Sequence, residues 1–230
     1  MTNGPINTCS AFNSKLSCFD FLTDQEKELV DRNQVEVVYK KGEIICKQGA
    51  FASNIIFLKE GLVKVYLEGQ NKNLILKVTP SNNLIGLPVI YEGNNTFLYS
   101  VAAYVDSRIS LIDITVFKQI LSQNARFASQ IINILNENTV LTYGRFFCLT
   151  HKQMHGRLAD ILLCLSQRIF KNKVFSLPLS RNDLAELTGM SAESVSRIIK
   201  EFKQDNLIEI IGKEFRILDF DRLLRISEKG

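Results

Sequence analysis

Residues 179–208 read LSRNDLAELTGMSAESVSRIIKEFKQDNLI, and this stretch predicts two short helices joined by a tight turn. Ser180 can cap the first helix with its hydroxyl, and Asp183 follows in the first turn, where a negative charge is favoured. Gly189 supplies a left-handed backbone for the turn, and Ser191 can cap the second helix. Three aliphatic residues would bury the inner side of the second helix: Val195, Ile198 and Ile199. The stretch is therefore typical of a helix-turn-helix.

The outer side of the second predicted helix carries Glu193, Ser196 and Arg197. These residues stand at i, i+3 and i+4, so they project from one face. In the DNA major groove, Arg can pair with guanine through two hydrogen bonds, Glu can accept one from cytosine, and Ser can contact several bases. The face therefore predicts base reading. Six residues are candidate phosphate contacts, which hold register without reading sequence: Ser180, Arg181, Thr188, Ser191, Lys200 and Lys213.

Residues 207–218, LIEIIGKEFRIL, follow the two helices and read as a β-hairpin with its turn at Gly212 and Lys213. A hairpin in this position is a wing, and residues 219–226, DFDRLLRI, would close the chain as a short helix. Helix pairs with small residues at the crossing also occur in proteins that do not bind DNA. The helix pair and the wing together favour double-stranded DNA as the partner.

Residues 35–113 have a different character, because short runs rich in Val, Ile, Leu, Phe and Tyr alternate with glycine and asparagine turns. Runs such as VEVVY, NIIFL and GLVKVYL, at this spacing, predict an antiparallel barrel or a jelly-roll-like β-roll. A helix precedes the first strand, and Thr23 with Glu26 can form its capping box.

A long helical pattern runs from about residue 114 to residue 149 and carries two apolar stripes. One stripe can cover the β-roll, and the other needs a second surface, for which a copy of the same helix is the obvious candidate. A helix buried on two sides within one chain is the alternative. The predicted dimer seam consists of Phe127, Ile131, Ile134, Asn138, Leu141 and Arg145. The predicted domains are residues 1–113, the long helix 114–150, and residues 151–230.

The composition permits this organisation without proving it. The formal net charge is +4, with 28 Lys and Arg against 24 Asp and Glu, which is compatible with DNA binding. No run approaches the ~20 apolar residues of a membrane span, and no secretion signal is evident at the N-terminus. The five cysteines are odd in number and scattered, as free thiols in a reducing compartment would be. We therefore expect a soluble cytoplasmic protein with no membrane partner.

Four segments of the chain resemble the CRP/FNR superfamily of bacterial transcription regulators: KKGEIICKQG at 40–49, IIFLKEGLVKVY at 55–66, NLIG at 83–86 and LAELTGMSAESVSRIIKEF at 184–202. The resemblance implies an α+β fold with an N-terminal cyclic-nucleotide-binding-like antiparallel β-roll, a long dimerisation helix and a C-terminal winged helix-turn-helix. It also implies a homodimer that works with RNA polymerase. The pattern at Glu193, Ser196 and Arg197 is similar to the FNR branch, because Ala192 stands where the catabolite-activator branch has Arg. We therefore expect an inverted repeat of TTGA-like half-sites.

The resemblance also bears on the effector. Relatives that bind cyclic AMP carry an Arg-Ser pair for the phosphate and a Glu for the ribose, and those positions here are Phe97, Leu98 and Leu87. Apolar side chains cannot balance a phosphate charge, so we predict that cyclic AMP does not bind. The degenerate pocket would comprise Leu87, Phe97, Leu98, Tyr99, Thr142 and Tyr143, and either the side chains fill it or it accepts an apolar ligand.

A redox, haem or gas sensor of the same fold is the alternative function. Cys9 and Cys18 are not spaced as in the oxygen-sensing branch, which holds an iron-sulfur cluster, and Cys46 stands apart. The series Cys148, His151 and His155 could share one helical face for a metal or haem. The sequence predicts no cofactor and no metal site, and it does not assign a sensing role to any of these residues. No nucleophile–base pair or paired carboxylates stand out, so we do not expect an enzyme.

Overall fold

The computed structural model of the 230-residue chain describes residues 18–230, which form two compact units. One unit contains residues 18–73 and 77–138, and the other contains residues 74–76 and 139–230. The helices and strands confirm the predicted α+β class. The predicted domain boundaries after residues 113 and 150 stay predictions, and each falls within one residue of the end of an element.

The first unit begins with a 3-10 turn at Cys18–Phe21 and helix α1 at Asp24–Arg32. Thr23 caps α1, since its hydroxyl accepts the amide of Glu26 while the Glu26 carboxylate accepts the amide of Thr23 at 2.8 Å. The predicted capping box is confirmed, and two of the orphan amides at the start of the helix are satisfied.

Eight strands follow, and they form two four-stranded sheets. The strands are β1 Gln34–Tyr39, β2 Ile44–Cys46, β3 Asn54–Glu60, β4 Leu62–Leu67, β5 Leu74–Pro80, β6 Asn83–Ile85, β7 Ser100–Ala103 and β8 Ser107–Asp113. The sheet orders are β1-β8-β3-β6 and β2-β7-β4-β5. The pairs of β8 with β1 and β3, and of β7 with β2 and β4, are antiparallel. Aliphatic side chains of β3 and β8, such as Ile55, Leu58, Ile109 and Ile112, are fully buried. The predicted β-roll is confirmed.

The prediction of one continuous helix from residue 114 was wrong. The structure has helix α2 at Ile114–Gln123 and helix α3 at Ala125–His151, separated by Asn124 in an extended conformation. The Asn124 side chain accepts the amide of Phe127 and donates to the carbonyl of Phe21 at 3.0 Å. An asparagine that caps a new helix in this way competes with the helical backbone, which explains the break.

The predicted dimer seam is corrected at two positions. Phe127 and Ile131 are buried within the single chain, and the ring of Phe127 meets that of Phe117 edge to face at 5.4 Å. Asn138 accepts a hydrogen bond from the ammonium of Lys77 at 2.9 Å. The stripe chosen from the sequence is therefore largely the inner face of α3. Four large side chains lie exposed on the opposite face of its second half: Val140, Tyr143, Phe146 and Phe147. We call these four residues the α3 apolar face.

The second unit continues after α3 with helices α4 Met154–Cys164, α5 Arg181–Thr188, α6 Ala192–Gln204 and α7 Phe220–Lys229, and with strands β9 Val174–Ser176, β10 Ile208–Ile211 and β11 Glu214–Ile217. A π-helical turn at Leu165–Ile169 extends α4. The sheet order is β10-β11-β9, and all its pairs are antiparallel. Because Ile211 pairs with Glu214, the hairpin turn lies at Gly212 and Lys213, which confirms the predicted wing.

No helix of residues 18–230 is both long enough and apolar enough to cross a membrane.

Candidate nucleic-acid interface

Local signals fix the two helices of the candidate interface. The hydroxyl of Ser180 accepts the amide of Asp183 at 3.1 Å, and the Asp183 carboxylate accepts the amide of Ser180 at 2.9 Å. Helix α5 ends at Gly189, whose φ of 65° and ψ of 29° lie in the left-handed region that glycine adopts without strain. Ser191 then caps α6 by accepting the amide of Ser194 at 3.1 Å. The helix-turn-helix therefore has the caps and the turn that the sequence predicts.

Helix α6 separates an apolar side from a polar side. Its inner side is buried and consists of Val195, Ile198, Ile199 and Phe202. Its outer side exposes the three predicted base-reading residues, Glu193, Ser196 and Arg197. The Ser196 hydroxyl donates to the carbonyl of Ala192 at 2.8 Å, so its oxygen can still accept a hydrogen bond. The structure thus presents all three side chains on one face of a well-anchored helix.

A basic cleft of about 500 Å³ lies beside this face. It is lined by Arg181, Ser196, Ile199, Lys200, Lys203, Gln204 and Ile210. Arg181 is half-buried, and this burial lowers the pKa of its guanidinium. Among the ion pairs of residues 18–230, none involves Arg181 or the two lysines of the cleft. Three cations with no carboxylate partner among residues 18–230 suit a phosphate, which would supply the missing negative charge.

The predicted phosphate contacts fall into two groups. Five of the six have accessible side chains: Ser180, Arg181, Ser191, Lys200 and Lys213. The prediction that Thr188 contacts phosphate was wrong, because this residue is fully buried and its hydroxyl donates to the carbonyl of Leu184 at 2.6 Å. A buried hydroxyl that bonds back to the preceding turn cannot reach DNA. Sequence reasoning missed Lys203, although its spacing of three residues from Lys200 on a helix places both on one side.

The predicted effector pocket is partly filled by its own side chains. Leu87 and Phe97 are buried, and the Tyr99 hydroxyl accepts the amide of Gly86 at 3.0 Å. Burial raises the pKa of Tyr99 to about 12, so the phenol stays neutral. The prediction that Leu98 helps to fill the pocket was wrong, because its side chain is 52% exposed. Phe97 is buried and Tyr99 is half-buried, whereas the Leu98 side chain between them is exposed to solvent.

Thr142 and Tyr143 were also assigned to the effector pocket. They belong to the other compact unit, on helix α3, and both side chains are exposed. Tyr143 is 67% exposed and forms part of the α3 apolar face. Their predicted role at the effector stays a prediction.

The cysteines and histidines of residues 18–230 have individual surroundings that bear on the sensor alternative. Burial raises the pKa of the thiols of Cys18 and Cys46 to about 12 and that of Cys148 to about 11, so these thiols stay protonated. His151 stacks on Phe147, with the ring centres 4.6 Å apart. Over the described range 18–230, no three side chains of His, Cys, Asp or Glu are grouped to hold a metal ion. Cys9 lies outside the described residues.

His155 has a partner that the sequence did not indicate. Its Nε2 atom lies 2.6 Å from Oε2 of Glu201, and its ring lies 6.0 Å from that of Phe202, measured between centroids. The two residues come from α4 and α6 and are 46 positions apart. No local pattern links positions so distant, so only the packed structure reveals the contact.

A capped helix pair, a wing, an exposed polar reading face and a basic cleft together define a DNA-binding transcription regulator. Comparisons with known proteins agree with this class. A family model described as a Crp-like helix-turn-helix domain matches residues 156–226, and one described as a cyclic nucleotide-binding domain matches residues 36–124. The chain belongs to the CRP/FNR family of transcription regulators, whose members are not enzymes.

Individual relatives support the assignment over most of the chain. The transcriptional activator protein FnrA of Stutzerimonas stutzeri is 30% identical over 191 residues, which cover 78% of this chain and 75% of that protein. The transcriptional activator protein Anr of Pseudomonas aeruginosa is 27% identical over 211 residues, covering 89% and 84%. The structure of FixK2 from Bradyrhizobium japonicum has a TM-score of 0.78 at 18% identity, covering 86% of this chain and 98% of that one, and so supports the fold.

Proposed function

We propose that the protein is a homodimer that reads an inverted repeat of TTGA-like half-sites in double-stranded DNA. The observation that carries this proposal is the exposed row of Glu193, Ser196 and Arg197 on α6, opposite a fully apolar inner side. An acid, a hydroxyl and a guanidinium match the donors and acceptors that base edges present in the major groove. The phosphate contacts would come from the basic cleft, with Arg181, Lys200 and Lys203.

The homodimer part of the proposal rests on helix α3. The α3 apolar face exposes Tyr143 and Phe146 at 67% each, and Ile132 is 56% exposed earlier on the same helix. Aromatic surface exposed in a row along a helix is costly in water, and a second copy of that helix would cover it. In such a dimer the two α6 helices would enter the DNA about one helical turn, ~34 Å, apart.

We infer further that cyclic AMP is not the effector. The side chains at the predicted phosphate-binding positions are Phe97 and Leu98, and neither carries a charge or a hydrogen-bond donor. The Tyr99 hydroxyl already occupies the amide of Gly86. Isothermal titration with cyclic AMP should release no binding heat, and a saturable signal at micromolar ligand would contradict this inference.

No bound cofactor forms part of the proposal. Protein purified under anaerobic conditions should show no absorbance above the ultraviolet range. A haem or iron-sulfur spectrum would instead support the sensor alternative. As a regulator that acts with RNA polymerase, the protein would work in the bacterial cytoplasm.

Selection of bound duplexes from random DNA tests the main proposal directly. It should be run with and without a small-molecule extract of bacterial cells, because an effector could change affinity. We expect enrichment of an inverted repeat whose half-sites resemble TTGA and whose centres are one helical turn apart. Enrichment of an unrelated or single half-site, or no enrichment in either arm, would refute the assignment of the reading residues.

A further inference from the structure

Three side chains of the second unit form a row that ends at the reading face. His155 on α4 contacts one carboxylate oxygen of Glu201 on α6, with 2.6 Å between Nε2 and Oε2. The other oxygen of the same carboxylate, Oε1, lies 3.9 Å from Nε of Arg197. Glu201 therefore stands between a histidine of a neighbouring helix and the guanidinium that is proposed to read a base.

The contact with His155 lowers the entropy cost of forming the Arg197–Glu201 ion pair. Exposed ion pairs one helical turn apart are weak, because both long side chains must give up rotamer freedom. Here Glu201 is already held by its hydrogen bond to His155, and both side chains are only 43% exposed. The imidazole is itself restrained by its contact with Phe202. Glu201 has therefore already lost most of its side-chain rotamer freedom before Arg197 pairs with it.

The atoms that face each other determine whether this pair assists or blocks DNA reading. Glu201 faces Nε of Arg197, which is the nitrogen nearest the aliphatic stem. Within residues 18–230 the two terminal Nη groups of Arg197 have no hydrogen-bond partner, and that side chain is 60% exposed. The terminal fork is the part of the guanidinium that can donate two parallel hydrogen bonds to guanine.

We propose that Glu201, anchored by His155, is a positioning residue that aims the fork of Arg197 at its base. The proposal rests on the proposed function, since it requires Arg197 to read DNA. Glu201 touches no base in this arrangement; it limits the directions that the guanidinium explores and so sharpens the preference at one base pair. Without Glu201, Arg197 would still attract DNA, but its guanidinium would form hydrogen bonds to several bases or phosphates with similar affinity.

The test measures base discrimination rather than affinity alone. Duplexes carrying every single-base change in the selected half-site are titrated with wild type and with Arg197→Ala, and the position where Arg197→Ala loses discrimination identifies its base pair. Glu201→Gln should lower discrimination at that position about two- to fivefold, the value of one exposed ion pair, and leave the other positions unchanged. In the Arg197→Ala background, Glu201→Gln should have no such effect.

Matched variants separate positioning from charge and from folding. His155→Leu should lower discrimination at the same position, while His155→Gln, which restores an N–H donor, should recover it. Glu209→Gln removes a carboxylate of equal exposure that pairs with Arg216 in the same unit, so it controls for reduced repulsion of DNA. Thermal unfolding of each variant verifies that it is folded.

Each outcome bears on a defined claim. If Arg197→Ala loses no discrimination at any position, the proposed function and this inference both fall. If Arg197→Ala loses it but Glu201→Gln does not, the inference alone is overturned. A drop with Glu201→Gln that His155→Leu does not share would overturn the anchoring role of the histidine. The expected pattern is loss with Glu201→Gln and His155→Leu, and recovery with His155→Gln.

Discussion

The ammonium group of Lys152 lies 2.7 Å from Oδ1 of Asp160, and the Ser227 hydroxyl donates to the same oxygen at 3.0 Å. The two charged side chains are only 11% and 12% exposed, so this is a buried ion pair. Ser227 belongs to α7 and Asp160 to α4. The network therefore ties the last helix of the chain to the centre of the second unit.

Lys152→Met should destabilise the second unit by about 3–5 kcal/mol, because it leaves the Asp160 carboxylate buried without its cation. Urea unfolding, followed by circular dichroism, measures the loss. Lys203→Met on the exposed side of α6 is the control and should change stability by no more than about 0.5 kcal/mol. If Lys152→Met lowers the free energy of unfolding by no more than the control does, the Lys152–Asp160 pair contributes little to stability.

Arg197→Ala should remove about 1–3 kcal/mol of discrimination at one base pair, the value of a bidentate contact. The measurement is competition between the selected half-site and its single-base variants at fixed salt. The arginine is 60% exposed, so the substitution should leave the fold intact. If the base preferences are unchanged at every position, Arg197 does not read a base.

Lys200→Ala should weaken binding to all duplexes by a similar factor, because an ammonium in the basic cleft contacts phosphate and not base edges. The slope of log affinity against log salt should become shallower by about one contact per chain. Titrations of a selected site and of an unrelated duplex, each at several salt concentrations, measure both effects. A loss confined to the selected site would make Lys200 a reader of sequence.

Phe146→Asp should abolish self-association, because it places a charge in the centre of the proposed α3 interface. Sedimentation across a range of concentrations distinguishes dimer from monomer. Leu218→Asp is the matched control, since Leu218 is also more than half exposed but lies outside α3. A dimer that survives Phe146→Asp, with the same sedimentation as the control, would place the interface on another surface.

Tyr99→Phe should cost about 1–3 kcal/mol at neutral pH, because the amide of Gly86 loses its acceptor. The folded-state pKa of Tyr99, about 12, is raised above its ordinary value of 10, so folding favours the neutral phenol. This contribution is complete below the ordinary value and disappears as pH rises toward the folded-state value. The stability gap between wild type and Tyr99→Phe should therefore narrow between about pH 10 and about pH 12, as urea unfolding in that range would measure. A gap that widens would contradict the neutral phenol.

Features that depend on nearby residues were predictable from the sequence. The capping box at Thr23, the cap at Ser180, the turn at Gly189 and the wing at Gly212 each depend on residues a few positions apart, and the structure has all of them. The reading face of α6 belongs to the same group, because the helical period alone places its three polar residues together.

Features that depend on packing were not predictable in the same way. Helix α3 has apolar residues on two sides, and the sequence does not say which side meets the rest of the chain; Phe127 and Ile131 proved to be inside. Thr188 has a hydroxyl that suits phosphate, yet packing buries it. The contact of His155 with Glu201 joins distant segments and has no signature in the local pattern.

The exposed aromatic rings of Tyr143 and Phe146 have a quantitative consequence for the cell. If two chains must meet before an inverted repeat is filled, promoter occupancy at low abundance rises with the square of the number of chains. Modest changes in synthesis or degradation would then be amplified into a threshold in gene output. The hydrophobic side of helix α3 would thereby make gene output depend steeply on the concentration of the regulator.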